Sequence, residues 1–338
     1  MDYSIIAQDA TKSKWRRMRI DAAYAGKALY AAAYAAPALM GRANRMAHCS
    51  ENIIIEHNSA TGENRVAHAA LCRDRLCPLC SWRLAVKRTA EMQRTIDALL
   101  AQAPYKGVML TLTVKNCRRE ELRNTIRAIS QAFSRLRKHR AWAREIVGYA
   151  RSIEITYNPA RDEYHPHIHA LLLVPATYTA NTITQAQFAA MWQTAANLPY
   201  TPIVDVRFTY SKDAGEPQDT DEERIEDALV QTDEIPAMRD GIIEATKYAL
   251  KPSALRRILA DEELADIALQ LAGHRLIAYG GAIKGARAAL GYTDADKPAD
   301  EIDDIAIPAE GETALHRLAY KWSTETQEYV FVTEVGTR

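Results

Sequence analysis

The chain has 338 residues, which at about 150 residues per domain predicts two domains or one elaborated domain. Its composition, 48% hydrophobic and 25% charged, excludes a disordered chain, a collagen and a disulfide-rich secreted scaffold. The formal net charge is zero, but residues 1–150 contain 26 Lys and Arg against 12 Asp and Glu, whereas the remaining residues contain 17 against 31. Such an asymmetry is typical of a chain whose basic half binds a polyanion.

The Ala-rich stretch 24–40 is the nearest candidate for a membrane span. It is short, contains Lys27 and Pro37, and is only weakly apolar. The basic run before it begins too late for a secretory signal. We therefore expect a helix here, and a cytoplasmic protein that does not contact a membrane.

The predicted elements alternate between helices and strands along the whole chain. Residues 1–50 are predicted to be helical, with Trp15, Met18, Ala22 and Leu29 at helical spacing. The predicted strands are 52–56, 65–69, 108–114, 152–157, 165–174 and 203–210, of which 152–157 and 165–174 form a hairpin. The later predicted helices are about 82–102, 119–144, 182–197, 242–250 and 253–272. Two acidic segments, 211–227 and 294–312, are predicted to be an insertion and a linker.

Four of the five cysteines are spaced like zinc ligands. Cys77 and Cys80 form a C-x-x-C knuckle, with Cys72 five residues upstream and Cys49 behind the predicted first hairpin. Four thiolates complete a tetrahedral site with no open position, which predicts a structural Zn²⁺. A redox pair is the alternative, but the sequence lacks a thioredoxin-like βαβ setting. If one cysteine is not a ligand, a histidine can replace it, and the candidates are His48, His57 and His68.

A His-x-His pair lies on the second strand of the predicted hairpin. Alternate side chains of a strand share one face, so His167 and His169 point the same way. If His169 pairs across the hairpin with Glu154, this carboxylate supplies a third ligand. Such a mixed set suits Mn²⁺, Mg²⁺ or a similar ion rather than a closed structural site. The alternative is a histidine-rich surface strand with no chemical role.

The predicted helix at 242–250 carries a third group of reactive side chains. Glu244 and Tyr248 are four residues apart, so a helix places them on the same face and lets them act on one centre. Lys251 is near enough in sequence to neutralise a phosphate. Taken alone, this spacing is common on solvated helix faces.

Together these segments resemble the plasmid rolling-circle replication initiators of the HUH endonuclease superfamily, in the subgroup with one tyrosine and a nearby glutamate. The resemblance runs from about Trp15 to Arg287. The segments that carry it are 109–116, MLTLTVKN; 164–169, YHPHIH; 244–251, EATKYALK; the cysteine knuckle with Ser81-Trp82-Arg83; and 274–281, HRLIAYGG.

The resemblance implies a metal-dependent, site-specific single-strand DNA endonuclease and strand transferase. Tyr248 would attack the origin strand and form a 5′-phosphotyrosine link, and Glu244 would act as general base when the cycle ends by hydrolysis. The implied metal ligands are His167, His169 and Glu154. The basic residues expected to contact DNA phosphates are Lys115, Lys247, Lys251 and Arg83. The implied partners are plasmid origin DNA, single-stranded at the nick, and a host helicase with the replication machinery.

The implied fold is α+β, an HUH-type central antiparallel sheet with flanking helices, plus an N-terminal helical and zinc-binding module. We expect a basic zinc module at 1–104, a nicking-closing domain at 105–290 with the acidic insertion near 211–227, and an acidic linker with a C-terminal segment at 291–338. The basic helices near residues 12–19 and 118–144 are expected to hold the DNA backbone. The alternatives are an HUH transposase and a zinc-dependent DNA-binding regulator without nicking activity.

Overall fold

The computed structural model describes residues 3–34, 36–158, 160–209, 238–246, 263–292 and 315–335. The chain divides into two compact units. The first comprises Met1–Leu84, Leu255–Leu269 and Pro298–Arg338, and the second comprises Ala85–Ala254 and Gln270–Lys297. The two predicted acidic segments, 211–227 and 294–312, lie outside the described residues.

The first unit begins with two helices, α1 (Tyr3–Ala32) and α2 (Met40–Ala47), joined through a 3₁₀ turn at Pro37–Leu39. The predicted apolar stripe on α1 is confirmed, because its four side chains are buried; they are Trp15, Met18, Ala22 and Leu29. Gly26 allows α2 to approach closely, since an added Cβ there would collide with the backbone nitrogen of Ala47. Within the described ranges, no helix is both long and apolar enough to span a bilayer.

The sheet of the first unit is antiparallel, with strand order β2-β1-β8-β9. Its strands are β1 (Asn52–Asn58), β2 (Asn64–Ala69), β8 (Leu315–Ser323) and β9 (Glu328–Val335). The predicted first hairpin is therefore confirmed, and strands from the far end of the sequence extend its sheet. The indole nitrogen of Trp15 donates to Ser50 Oγ and Tyr329 Oη, both at 3.2 Å, and so ties α1 to β9.

The second unit is built on a five-stranded antiparallel sheet with strand order β6-β3-β5-β4-β7. Its strands are β3 (Tyr105–Thr113), β4 (Gly148–Asn158), β5 (Glu163–Pro175), β6 (Val204–Phe208) and β7 (Ile277–Gly280). The histidine strand β5 is central, as expected from the implied α+β fold, which is confirmed.

Helices cover the two faces of this sheet. The helices that belong wholly or partly to this unit are α3 (Pro78–Leu100), α4 (Leu122–Leu136), α5 (Arg140–Glu145), α6 (Gln185–Ala196), α7 (Arg239–Thr246), α8 (Glu263–Gln270) and α9 (Gly281–Ala289). On one face Met92 of α3 and Ile242 of α7 share a core with Leu171 and Leu173 of β5. On the other face Phe133 of α4 packs edge-on against Tyr149 of β4, with ring centroids 5.3 Å apart.

The prediction of a single basic helix at 119–144 is wrong, because this segment forms a 3₁₀ turn and two separate helices. A 3₁₀ turn at Arg119–Glu121 leads into α4, and a separate helix α5 begins at Arg140. His139 has extended backbone, and its ring nitrogen accepts from the amide of Ala141 at 3.3 Å. This side-chain cap starts α5 afresh. Of the two predicted helices at 242–250 and 253–272, the structure describes α7 and α8 and not the intervening residues.

Position 281, at the junction of β7 and α9, requires a glycine. Its φ is +58°, and an added Cβ would collide with the carbonyl oxygen of Val147. The same carbonyl accepts a hydrogen bond from the amide of Ala282 at 3.0 Å. This hydrogen bond holds the backbone of Gly281 close to Val147. Gly285, four residues later on α9, has open space around its Cα.

We predict that Gly281→Ala and Gly285→Ala change stability in opposite directions. The first forces an L-residue into a left-handed conformation against a carbonyl and should destabilise the protein by about 1–3 kcal/mol. The second lies in an exposed helix interior, where alanine loses less backbone entropy on folding than glycine does. It should therefore stabilise the protein by about 0.5–1 kcal/mol. Urea unfolding followed by circular dichroism checks both. Equal effects of the two substitutions would contradict the assigned backbone conformation.

Candidate active site and metal centres

His167 and His169 lie on one face of β5, as their spacing predicts. The predicted pairing of His169 with Glu154 is wrong. Glu154 lies opposite His167, and Ser152 lies opposite His169. Asn158 pairs with Glu163 at the end of the hairpin, and the observed register differs from the predicted one by two residues. A shift of two keeps every side chain on its face, so Glu154 still points toward both histidines.

Glu154 joins the two imidazoles. Its Oε2 lies 3.4 Å from Nε2 of His169 and 3.9 Å from Nε2 of His167. One ligand atom from each of the three residues lies within 4.8 Å of the others. Glu154 is 4% exposed and His167 is 9% exposed, so the cluster is largely screened from water. A buried carboxylate between two imidazoles is a ligand set for a divalent cation.

Contacts at the Nδ1 atoms fix the orientation of the two imidazole rings. Nδ1 of His167 lies 3.0 Å from the carbonyl oxygen of His165, which can only accept, so Nδ1 carries the proton. Nε2 of the neutral ring is then unprotonated, as a metal-binding nitrogen must be. Burial lowers the pKa of His167, and the neighbouring His169 lowers it further, which favours the neutral ligand form.

Thr111 is a site residue without a predicted role. It lies directly opposite His169 on β3, and its Oγ1 is 3.2 Å from Nδ1 of that ring. This contact holds the ring with Nε2 toward Glu154. Strand alternation could have identified it, because Thr111 and Thr113 share the face of the histidines once β3 and β5 are paired.

Glu244 comes to the same centre from α7. Its Oε1 lies 3.3 Å from Nε2 of His169, and its side chain is 27% exposed, so solvent can reach it. The helix is fixed from two sides. Thr246 Oγ1 lies 2.7 Å from Thr89 Oγ1 of α3, and Ser152 Oγ donates to the carbonyl of Glu244 at 3.4 Å. Glu244 of the predicted helix at 242–250 thus lies beside the histidine strand.

Three predicted site residues lie outside the described residues: Lys247, Tyr248 and Lys251. Lys115 follows β3 two residues after Thr113, which pairs with His167. It is exposed, and its Nζ lies 4.6 Å from the ring centroid of Tyr200. Arg83 belongs to the first unit, where its guanidinium carbon lies 5.0 Å from the ring centroid of Trp15.

His165, at the start of the histidine motif, contacts other groups. Its Nδ1 lies 2.9 Å from Oδ1 of Asn116, whose amide nitrogen donates to Glu163 at 2.9 Å. The ring stacks on His167, with centroids 5.1 Å apart. Burial lowers the pKa of His165. The residue therefore supports the ring of His167.

The four predicted cysteine ligands converge in the first unit and are all buried. Sγ of Cys49 lies 3.5 Å from that of Cys80 and 3.6 Å from that of Cys77, and Cys72 lies 3.6 Å from Cys80. A tetrahedron with metal–sulfur bonds of about 2.3 Å has sulfur atoms about 3.8 Å apart. The cluster therefore has nearly the dimensions of such a site.

The surroundings of the cysteines make their ionisation costly unless a cation is bound. Burial raises the pKa of the Cys77 thiol well above its ordinary value, and hydrogen bonds with the other three thiols raise it further. A metal ion would offset this cost of ionisation. The loop that carries Cys72 and Cys77 is held by Asp74, which accepts two hydrogen bonds from Arg42 at 2.7 and 2.9 Å.

Comparison with known proteins places the chain in a family. A family model described as "Replication protein" matches residues 63–330, which span both clusters apart from Cys49. A "Protein rep" from Bacillus amyloliquefaciens is 31% identical over 284 residues, which are 80% of this chain and 81% of that protein. A "Protein rep" from Lentilactobacillus hilgardii is 30% identical over 297 residues, 85% of this chain and 87% of that protein. No solved structure matches the chain. The chain therefore belongs to the replication-protein family, and it is a member of the plasmid rolling-circle initiators that its motifs resemble.

Proposed function

We propose that this initiator nicks one strand of plasmid origin DNA and rejoins or releases it through a covalent tyrosine intermediate. The observation that carries the proposal is the convergence of Glu154, His167 and His169 with Glu244, whose carboxylate lies 3.3 Å from His169. A ligand set for a cation and a solvent-accessible carboxylate thus share one centre. A protein that only bound DNA without cleaving it would require neither the ligand set nor this carboxylate.

Tyr248 is the proposed nucleophile. Its phenolic oxygen would form a bond to phosphorus while the bond from phosphorus to the 3′-oxygen breaks. The 3′-oxygen takes up a proton and becomes the hydroxyl that primes synthesis, and the 5′-phosphate stays on the tyrosine. This covalent step divides one displacement into two.

Glu244 is the proposed general base of the closing step. Its carboxylate would accept a proton from the water that hydrolyses the phosphotyrosine link. The position of Glu244 supports this role, because it is held beside the histidine cluster through Ser152 and Thr246 and yet is partly open to solvent. Strand transfer would replace water with a DNA 3′-hydroxyl.

The histidine cluster is the proposed site of Mn²⁺ or Mg²⁺. Bound there, the cation would polarise the scissile phosphate and orient it. The chain's own contribution is the fixed ring orientation from Thr111 and the carbonyl of His165, together with the exclusion of water around Glu154. Zn²⁺ at Cys49, Cys72, Cys77 and Cys80 would have a structural role, since four sulfurs leave no open position.

Basic residues would neutralise the DNA phosphates near the reacting strand, namely Lys115, Lys247, Lys251 and Arg83. Among these, the placement of Lys115 supports the role best, because it is exposed at the end of the strand that pairs with His167. The host replication machinery, together with a host helicase, would then extend the DNA strand from the freed 3′-hydroxyl.

For zinc, we predict about one Zn²⁺ per chain in purified protein and almost none in a Cys77→Ser, Cys80→Ser double variant. Loss of two of the four ligands opens the tetrahedron, so the melting temperature should also fall. Cys117→Ser is the control, because Cys117 is buried in the second unit, apart from this cluster. Inductively coupled plasma mass spectrometry gives the stoichiometry. Full retention of zinc by the double variant would refute the assignment.

For the catalytic cation, His167→Ala or His169→Ala should abolish nicking of supercoiled plasmid that carries the cognate origin. Duplex binding should remain near the wild-type level, since binding depends mainly on basic surface. His48→Ala, which removes an exposed histidine paired with Glu51, should nick normally. The assay is run with Mn²⁺ and with excess EDTA. Wild-type nicking in EDTA would contradict a metal-dependent step.

For the tyrosine and the glutamate, we predict separable defects. Tyr248→Phe keeps the ring but removes the nucleophile, so no 5′ adduct should form on single-stranded origin DNA. Glu244→Gln keeps the size but cannot take a proton, so adduct should accumulate while hydrolytic release slows by about 100- to 10,000-fold. Denaturing gels with end-labelled DNA measure both.

The control for this pair is Tyr279→Phe. Tyr279 is largely buried, with the guanidinium carbon of Arg287 4.2 Å from its ring centroid, so this variant should form adduct normally. Adduct formation by Tyr248→Phe would show that another tyrosine is the nucleophile. Wild-type release by Glu244→Gln would eliminate the general-base role and leave nicking itself intact.

A further inference from the structure

A strongly basic cavity lies on the face of the five-stranded sheet opposite the histidine cluster. Its volume is about 540 Å³, and it is formed by α4, by Arg151 of β4 and by the segment 272–275 that leads into β7. Five of its lining residues are arginines: Arg123, Arg127, Arg135, Arg151 and Arg275. Among the described residues that line it, none is Asp or Glu.

Strand alternation determines on which face the cavity opens. Arg151 pairs with Ala170 of β5, whereas Ser152 and Glu154 pair with His169 and His167. Neighbouring residues of a strand point to opposite faces, so the guanidinium of Arg151 lies behind the sheet that carries the candidate active site. The cavity is therefore separate from that site.

The floor of the cavity is a buried cation. Arg151 is 6% exposed. Its NH1 donates to the carbonyl of Leu276 at 3.2 Å, and both terminal nitrogens lie 3.4 Å from the carbonyl of Arg275. Its guanidinium carbon lies 5.8 Å from the ring centroid of Phe133. A buried guanidinium is costly to desolvate, and it is held here by neutral carbonyls and an aromatic ring.

Two further arginines are held in fixed positions along α4. Nε of Arg135 donates to the carbonyl of Ala195 at 2.6 Å, and NH1 of Arg123 lies 3.4 Å from the carbonyl of Gln270. Arg127 and Arg275 add exposed guanidinium groups between and beside them. Guanidinium groups that are already oriented lose less conformational entropy when they bind an anion.

The spacing along α4 fits an extended anion. Its polar face presents Arg123, Arg127, Ser130 and Ser134, which recur every three or four residues and so lie in one row. At a rise of 1.5 Å per residue this row spans about 16 Å, or about five nucleotides at 3.4 Å each. A single small phosphate would need only one end of the row.

We propose that this cavity binds the phosphodiester backbone of a second DNA segment, away from the strand at the histidine cluster. Arginines take phosphate oxygens in a bidentate manner, and the hydroxyl of Ser130 can donate to another. The guanidinium groups of the five lining arginines provide the electrostatic attraction. The inference shares with the proposed function only the premise that the ligand is DNA, and it requires no cleavage.

The test compares two double variants of the full chain. Arg127→Ala, Arg275→Ala removes two exposed arginines of the cavity, and Lys284→Ala, Lys321→Ala removes two exposed charges outside it. Binding to a fluorescent duplex of about 30 base pairs, and to oligo(dT) of about the same length, is measured in EDTA across a salt series. EDTA prevents any metal-dependent cleavage, so the result does not depend on whether the protein nicks.

Log K falls as log salt rises, and this fall should be less steep for the cavity variant. The slope should be smaller in magnitude by about 1.8 on duplex or about 1.4 on single strand, as expected for two lost phosphate contacts. The outside variant should keep the wild-type slope. Equal slopes for the two variants on both DNAs would overturn the proposal. It would equally be overturned if inorganic phosphate stabilised the wild type and not the cavity variant while the DNA slopes stayed unchanged, since the cavity would then take a small anion only. Thermal unfolding of each variant excludes misfolding as the cause.

Discussion

The burial of one carboxylate governs the arrangement of the second unit. Glu154 is 4% exposed in the middle of a sheet, where an isolated negative charge would be costly. Two imidazole nitrogens, from His167 and His169, lie within 3.9 Å of its Oε2. Neutral imidazoles do not balance a negative charge, whereas a divalent cation bound by all three residues would. The neutral form is favoured at His167, since burial lowers its pKa.

The antiparallel sheet makes this cluster possible and also separates it from the arginine cavity. On β5 every second side chain points to the reactive face, and β3 and β4 on either side supply Thr111 and Glu154. The alternate residues of the same strands face α4, where Arg151 lies at the floor of the basic cavity. One sheet thus carries the Glu154, His167 and His169 cluster on one face and Arg151 of the basic cavity on the other.

Local patterns predicted much of the site. The C-x-x-C knuckle, the His-x-His alternation and the apolar stripe of α1 depend on short-range geometry, which sequence spacing determines. The register of Glu154 was missed by two residues because it depends on how many residues form the turn before Glu163. The pairing of β8 with β1 is a contact between distant segments, which no local pattern encodes. The arginine cavity combines α4, β4 and the segment before β7, so it too depends on tertiary structure.

The most direct test of this account is a crystal structure of the protein soaked in Mn²⁺, with anomalous data collected near the manganese edge. We expect one anomalous peak within about 2.5 Å of Nε2 of His167, Nε2 of His169 and a carboxylate oxygen of Glu154, the range of a coordinated divalent cation. A Glu154→Gln crystal should show this peak weakened or lost. A fully occupied peak that has only the two histidines as ligands, or no peak at this cluster, would contradict the account.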